Sequence, residues 1–285
     1  MAKKPVKKPE VETTGHSWDG IEEFNNPLPR WWLITMYMCI IWGIGYAIAY
    51  PSIPLPGGAF PGVLGYSSRG AVAADIAKVE AQNAPLVAKI NTLDLAAIAD
   101  DPQVGEFAIN GGHAVFQTFC AQCHGAGANG AKGYPSLIDD DWLWGGSIEE
   151  IHQTISHGIR YESDPDTRAS QMPAFGEFLS KEEIAKLVEY VGSRSGINGA
   201  VETEEGKNLF LDNCAACHGD DAKGGREVGA PNLTDAIWLY GSDPATLTET
   251  VTYARHGVMP AWSGRLSESQ IRQAAVYIHS LGGGE

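Results

Sequence analysis

The chain has 285 residues, 44% of them hydrophobic, which is ordinary for globular structure and enough for about two domains. Its formal net charge is −15 at pH 7, from 35 acidic and 20 basic side chains, which excludes nucleic acid as a natural partner. The acidic excess fits either solubility or the docking of a basic protein, and both interpretations stay open.

The first predicted element is a membrane helix over residues 31–50. These twenty residues carry no charge, begin with Trp31 and Trp32 and end with Tyr50, as expected of one bilayer crossing with aromatic residues at both interfaces. A cleavable signal peptide is the alternative, but the stretch begins well inside the chain, is long, and is not directly followed by a small-residue cleavage site. The sequence therefore predicts an uncleaved anchor, in which Cys39 faces lipid or another helix.

The segment before the anchor, residues 1–30, is predicted to be cytoplasmic. It carries five basic and five acidic side chains, so the whole net charge belongs to residues 51–285. Four lysines and Arg30 precede the anchor, whereas Arg69 is the one basic residue among the first 24 that follow it. The positive-inside rule then places the N-terminus in the cytoplasm and the remainder in the periplasm, across a bacterial inner membrane.

Residues 51–104 are predicted to be a linker with short helices. The stretch from 51 to 70 is rich in Pro and Gly, which is typical of irregular chain. The following residues are rich in Ala, with apolar positions near helical spacing, and Pro85 is expected to divide them into two short helices. No strand pattern of any length is recognisable in the sequence.

Two copies of the pattern Cys-x-x-Cys-His dominate the rest of the chain. The first copy is Cys120, Cys123 and His124, and the second is Cys214, Cys217 and His218. Two thiols at this spacing can form thioethers to the vinyl groups of one haem, and the next residue supplies an imidazole to its iron. A structural zinc site would need a fuller set of four ligands, and a redox dithiol does not need the histidine. The sequence predicts two covalently bound haems c, and hence electron transfer.

One methionine follows each motif in a matching context. These are Met172, within Met-Pro-Ala-Phe, and Met259, within Met-Pro-Ala-Trp. A thioether sulfur favours ferrous iron and raises the haem potential relative to a second imidazole. Met172 and Met259 are therefore predicted as sixth iron ligands, with His157 and His256 as the alternatives that would give a lower potential.

An internal repeat surrounds the motifs and predicts two helical domains, residues 105–193 and 203–282. The first copy carries an extra polar loop, residues 159–171. The first and last helices of each copy are expected to pack together through a glycine that lets an aromatic ring approach the helix backbone. The expected contacts are Gly112 and Phe116 with Tyr190, and Gly206 and Phe210 with Tyr277. The aromatic residues expected to line the haem pockets are Trp142, Trp144, Trp238 and Tyr240.

Small all-helical units with these motifs resemble class I cytochrome c domains. The N-terminal strings WDGIEE at 18–23 and NPLPRWW at 26–32 resemble, more narrowly, the CcoP (FixP) subunits of cbb3-type cytochrome c oxidases. This resemblance implies an all-α chain with one transmembrane helix followed by two tandem class I cytochrome c domains. It implies His124 and Met172 on one haem iron, and His218 and Met259 on the other.

The resemblance also implies partners. Electrons would come from a donor cytochrome c or a cytochrome bc1 complex and pass through the two haems towards the catalytic haem–copper subunit that reduces oxygen, beside a mono-haem cytochrome c subunit. The chain itself would have no catalytic centre. Two alternatives stay open: a di-haem cytochrome serving another membrane dehydrogenase or reductase, and a di-haem peroxidase, which would need a vacant sixth position on one iron.

Overall fold

A computed structural model describes residues 11–197 and 199–284. The contacts divide the chain into two units, Met1–Gln82 and Asn83–Glu285. The lysines at positions 3, 4, 7 and 8, on which the predicted membrane orientation depends, lie outside the described residues.

The first unit begins with an antiparallel hairpin of β1 (Thr13–Trp18) and β2 (Ile21–Phe24). The connecting residues are Asp19 and Gly20, both at positive φ (48° and 82°), the pattern that Asp-Gly supplies in a two-residue hairpin turn. A smaller pair, β3 (Pro54–Leu55) and β4 (Gly58–Ala59), follows the anchor. The expectation of no strands was therefore wrong, because such short exposed strands lack the alternation of apolar and polar residues by which a half-buried strand is recognised.

The predicted membrane helix is α1 (Arg30–Ala49), long and apolar enough to cross a bilayer. The next helix, α2 (Ser68–Thr92), runs without interruption through Pro85, where two short helices were expected. Proline removes one backbone donor, and the Ala-rich sequence on either side supplies enough helix propensity to continue past it. The predicted break at Pro85 was therefore wrong.

The second unit is helical. Its helices are α3 (Gly105–Val115), α4 (Ala121–His124), α5 (Ile148–His157), α6 (Lys181–Arg194), α7 (Glu204–Asn213), α8 (Ala215–His218), α9 (Pro244–Tyr253) and α10 (Glu268–Ser280). A π-helical turn, Phe116–Cys120, continues α3 into the first haem motif. Helices α5, α6 and α10 each begin at a capping box, in which a serine and a Glu or Gln three residues later satisfy two backbone donors.

The helices of the second unit pack across the repeat. Helix α3 of the first copy packs on α10 of the second, and α7 of the second copy packs on α6 of the first. The ring of Phe116 lies 5.5 Å from that of Tyr277, and the ring of Phe210 lies 5.2 Å from that of Tyr190. The expected contacts within each copy were therefore wrong: the partner types are correct and the partner copies are exchanged.

Glycine permits the helices to approach closely at both contacts between the copies, which we call the α3–α10 seam and the α7–α6 seam. A Cβ placed on Gly112 would lie 2.0 Å from the carbonyl oxygen of Gln273 in α10, and one on Gly206 would lie 2.8 Å from that of Lys186 in α6. Both copies carry the same glycine and aromatic pattern. The pattern therefore predicts that a first helix packs on a last helix, but it does not predict which copy supplies that last helix.

The larger core surrounds the α3–α10 seam. Phe116 is fully buried there, and so are Ile90 and Ile98, which the sequence assigned to the linker. Arg272 of α10 donates from Nε to the carbonyl oxygen of Ile90 at 3.0 Å. The last part of the predicted linker is thus built into the second unit.

Candidate haem sites

The first motif runs from Cys120, the last residue of the π-helical turn, through α4, and a backbone carbonyl lies within hydrogen-bond distance of its histidine. His124 Nδ1 lies 3.0 Å from the oxygen of Pro135. With the Nδ1 hydrogen donated to that oxygen, Nε2 keeps its lone pair for a metal. Burial lowers the pKa of His124, against the opposing effect of this hydrogen bond, so the imidazole is neutral at neutral pH.

The second motif repeats this arrangement on α8. His218 Nδ1 lies 3.1 Å from the oxygen of Pro231, and burial again lowers the pKa of the imidazole. The two prolines occupy the same place in the internal repeat. Their pairing was visible in the sequence, but their role as orienting acceptors was not, because any residue can supply a backbone carbonyl.

The four cysteines of the two motifs form no disulfide, so each is available for a thioether bond. Burial raises the pKa of Cys120 and of Cys214 to about 11, so both sulfurs carry a proton. A protonated thiol is the group that adds across a vinyl double bond to give a thioether. The second cysteine of each motif, Cys123 and Cys217, is exposed.

A large cavity borders the second motif, and it is the clearest test of whether a haem fits. Its wall includes Cys214, Cys217 and His218 together with Met172. The apolar and aromatic residues of the wall include Phe175, Val188, Val191, Phe210, Leu233, Trp238, Tyr240 and Leu247. A concave, mainly apolar site with a thiol pair, an imidazole and a thioether suits a planar macrocycle that carries an iron.

The first motif lies against the larger core, and Met259 packs there as well. Cys120 and Met259 both contact the buried cluster around Phe116. The backbone of Met259 pairs with that of Ile159 through two hydrogen bonds of 2.9 and 3.0 Å. The ring of Trp262, from the same loop as Met259, lies 5.6 Å from Phe119 beside the first motif.

Each methionine thus contacts elements of the other copy. Met172 lies on the wall of the cavity at His218, and Met259 packs against the same buried cluster as Cys120. This placement favours pairing His218 with Met172 and His124 with Met259 over the expected pairing within each copy. The exchange follows the helices, because each methionine loop leads into a last helix that packs on the other copy's first helix.

The two alternative histidines lie in different surroundings. His157 Nδ1 lies 3.1 Å from Asp164 Oδ1 within the extra loop of the first copy. His256 lies on the wall of the cavity at His218, with its Nδ1 3.1 Å from the oxygen of Ala254. His256 therefore lies on the same cavity wall as Met172 and His218.

The predicted aromatic residues divide between the sites. Trp238 and Tyr240 lie on the cavity wall, whereas Trp142 packs against the larger core. Trp144 is 92% buried and has the guanidinium of Arg168 over its ring at 5.6 Å. The structure brings Trp238 and Tyr240 to the second site directly.

Two arginines of the cavity wall were missed by sequence reasoning. They are Arg160, in the extra loop, and Arg255, after α9. The guanidinium of Arg255 lies 4.7 Å over the ring of Tyr240 and donates to the carbonyl oxygen of Thr246. The available signal was the arginine of Arg255-His256-Gly257, because the matching position of the first copy is Ser156.

Comparison with known protein families gives matches over most of the chain. Residues 10–56 match the family described as the N-terminal domain of cytochrome oxidase-cbb3, FixP. Residues 107–191 and 201–278 each match the family described as cytochrome c oxidase, cbb3-type, subunit III.

Relatives match over the full length. The chain is 57% identical to the cbb3-type cytochrome c oxidase subunit CcoP of Cereibacter sphaeroides and 54% identical to the CcoP of Rhodobacter capsulatus, with 100% of both chains covered in each case. It is 51% identical to the cbb3-type cytochrome c oxidase subunit FixP of Sinorhizobium medicae, over 96% of each chain.

Proposed function

The chain belongs to the CcoP/FixP family of cbb3-type cytochrome c oxidase subunits, and we propose that it carries electrons on two covalently attached haems c whose iron ligands are exchanged between the two copies of its repeat. As a cytochrome c subunit of an oxidase complex, it serves electron transfer towards the catalytic subunit. The observation that carries the proposal is the cavity in which Met172 meets Cys214, Cys217 and His218.

In this proposal Cys120, Cys123 and His124 hold the first haem and Met259 completes its iron. The second haem is held by Cys214, Cys217 and His218, with Met172 as sixth ligand. The haem supplies a one-electron carrier. The chain supplies neutral imidazoles oriented by Pro135 and Pro231, a soft sulfur ligand that holds the potential high, and apolar walls that keep water away.

The exchange of ligands can be tested with one haem removed. Cys120→Ala with Cys123→Ala should leave a single haem, at the second motif, by the pyridine haemochrome assay. Adding Met172→His should then lower the potential of that remaining haem, because imidazole stabilises ferric iron better than a thioether does. Potentiometric titration of the absorption spectrum measures the change.

Met259→His in the same single-haem background is the matched control, and it should leave the potential in place. If Met259→His shifts the remaining haem and Met172→His does not, the ligands come from within each copy and the proposal is wrong. If neither shifts it, His256 becomes the ligand to test, since it lies on the same cavity wall.

The helix α1 supports a membrane anchor. We place the N-terminus in the cytoplasm and the haem sites in the periplasm of a bacterial inner membrane, from the lysines before the anchor and the scarcity of basic residues after it. The partners in this proposal are the catalytic haem–copper subunit, a mono-haem cytochrome c subunit, and a donor cytochrome c or cytochrome bc1 complex.

The donor should carry a positive face, because the net charge of −15 belongs to the side of the membrane that holds the haems. Complementary charge raises association rates by about 10- to 1,000-fold at low ionic strength, and salt removes most of this gain. The bimolecular rate of reduction by a basic cytochrome c should therefore fall steeply between low and physiological salt in stopped-flow measurements. A rate independent of salt would mean that the acidity serves solubility, or that electrons arrive from a permanently attached partner.

A further inference from the structure

The side chain of Arg160 bonds to both methionine loops. Its Nε donates to the carbonyl oxygen of Gly257, two residues before Met259, at 2.8 Å. Its Nη1 donates to the carbonyl oxygen of Ser170, two residues before Met172, also at 2.8 Å. One guanidinium therefore spans the two segments that deliver the candidate sulfur ligands.

The backbone around Arg160 is built to hold the side chain in this place. The preceding residue, Ile159, is the one whose backbone pairs with Met259, and the backbone N–H of Arg160 donates to the oxygen of Arg168 at 2.7 Å, closing the extra loop. Gly158 allows the approach, since a Cβ there would lie 2.3 Å from the oxygen of Met259. Arg160 itself is held at φ 53°, a left-handed conformation that costs free energy for a residue with a Cβ.

We infer that Arg160 is a positioning residue shared by the two haem sites, and that its guanidinium ties the loops of Met172 and Met259 to each other so that the two sulfur ligands are held in place together. The inference rests on the proposed ligation by these methionines. It also gives the extra loop of the first copy a role: that loop carries Arg160 to the point between the two methionine loops.

The chemistry of arginine suits this role. A guanidinium presents donors in a rigid planar fork, so two carbonyl groups from different segments are fixed at a set distance and angle, whereas the single ammonium of lysine imposes no such geometry. Bonds from a charged donor are stronger than those between neutral groups. Breaking either hydrogen bond of Arg160 therefore releases the two methionine loops from each other.

The chain offers two matched controls. Arg168 lies in the same loop and is similarly half-buried, but its Nη1 donates to the oxygen of Trp144 and to Thr154 Oγ1. Arg255 lies on the wall of the same cavity as Arg160, but its guanidinium donates within the segment of α9, to Thr246, Glu249 and Thr250. Arg168 controls for disturbance of the loop, and Arg255 controls for loss of positive charge at the second site.

The experiment compares Arg160→Gln, Arg160→Lys, Arg168→Gln and Arg255→Gln in the full-length protein with both haems attached. The readouts are the weak red absorption band that ferric haem shows only with a thioether ligand, the two potentials, and the binding of added imidazole to the ferric protein. Arg160→Gln should weaken the band at both haems, lower both potentials and tighten imidazole binding at both sites by about tenfold or more. Arg160→Lys should show the same changes to a smaller extent, which also covers the case in which Arg160→Gln folds poorly.

The spectrum and potential of the first haem distinguish the proposed role of Arg160 from a simple loss of positive charge at the second site. Loss of charge on the cavity wall would change the haem at Cys214 alone, and Arg255→Gln should do no more than that, while Arg168→Gln should leave both bands intact. If the Arg160 variants change neither haem, or change only the haem at Cys214, Arg160 does not position both methionine loops and the inference is wrong. Met172→His and Met259→His in the same assay separate this from the ligation: if each shifts one haem, the ligation stands whatever Arg160 does, and if neither does, the ligation itself has failed.

Discussion

At the scale of single residues, the candidate haem ligands could be predicted from the sequence because they are rare residue types at fixed spacing. The cysteines, histidines and methionines of the proposal were all named from this pattern. Their contacts could not be predicted, since Pro135 and Pro231 contact the histidines through backbone carbonyls and Arg160 bonds to two loops far apart in the chain. Such roles depend on tertiary proximity, which no local pattern encodes.

One carboxyl group at the second site makes the stability of the protein depend on pH. Asp141 lies on the cavity wall, where burial and then the nearby carboxylates Asp235, Asp139 and Asp140 raise its pKa from 3.8 to about 6. The charged form is thus less favourable in the folded than in the unfolded protein. The folded state loses stability as pH rises from 3.8 through about 6, and the loss is complete above that value.

Asp141→Asn should therefore stabilise the haem-loaded protein at neutral and higher pH. Because Asp141 is partly exposed, solvent screening reduces the effect to about 1 kcal/mol, which corresponds to a rise in Tm of about 2–4 °C. The gain should shrink as the pH falls to about 4, where the native carboxyl is already protonated. Thermal unfolding followed by circular dichroism at pH 8 and pH 4 measures it.

Asp140→Asn is the matched control, because Asp140 is exposed and adjacent. It removes the same formal charge and should change Tm much less. A gain in the Asp141→Asn protein that is equal at both pH values would show that the effect comes from the amide side chain and not from the ionisation.

At the scale of elements, the sequence predicted the helices and their glycine–aromatic contacts, but placed each contact within one copy. The pattern is degenerate: a first helix with Gly112 and Phe116 can accept either Tyr190 or Tyr277, because both follow a Met-Pro loop in the same register. The choice is made by the connections, whose length and geometry lie outside the repeated pattern. The missed β1–β2 hairpin has another cause, since its one strong signal was the Asp-Gly turn and its strands are exposed on both faces.

The exchanged seam between α3 and α10 predicts opposite outcomes for two adjacent glycines. In Gly112→Ala the new methyl would meet the backbone oxygen of Gln273 and the Cβ of Tyr277, neither of which can move without shifting α10. This overpacking should destabilise the protein by about 1–3 kcal/mol. Urea unfolding of the haem-loaded protein measures the change.

Gly111→Ala is the control, because its methyl would meet only the end of the flexible side chain of Gln273. Alanine is favoured over glycine in a helix by about 1 kcal/mol, so this protein should be as stable as the original or more so. Equal destabilisation by both substitutions would show that α3 itself is sensitive to alanine and that the seam with α10 is not the cause.

At the scale of the whole molecule, the packing of helices across the two copies means that the two domains predicted from the repeat are not separate packing units. The repeat predicts two domains, residues 105–193 and 203–282, and by sequence each looks complete with its own haem motif, methionine and closing helix. In the second unit, however, the first motif and Met259 pack against the same core, which includes α10, and the second motif lines a cavity with Met172 and residues of α6. Under the proposed ligation neither half contains a whole haem site, so the stability and the potentials of the two haems should be linked.

A chain that ends at Ile197 therefore tests the architecture. It keeps α1, α3 and the first motif, so haem should still attach at Cys120 and Cys123, but it lacks Met259 and the helix that buries Phe116. We expect its ferric spectrum to show a haem without a thioether ligand, and the protein to be degraded or unfolded far more readily, because a core that is fully buried in the complete chain is left open. Export of the second half, from Gly199 onward, in the same cells should restore the ligand band.

As a control, a protease site inserted after Gly199 should allow the folded full-length protein to be cut with both haem spectra unchanged, since cleavage there removes no ligand and no core residue. A normal thioether-ligated spectrum in the chain ending at Ile197 alone would mean that the first copy closes on its own Met172, and that the exchange is not needed to build the site.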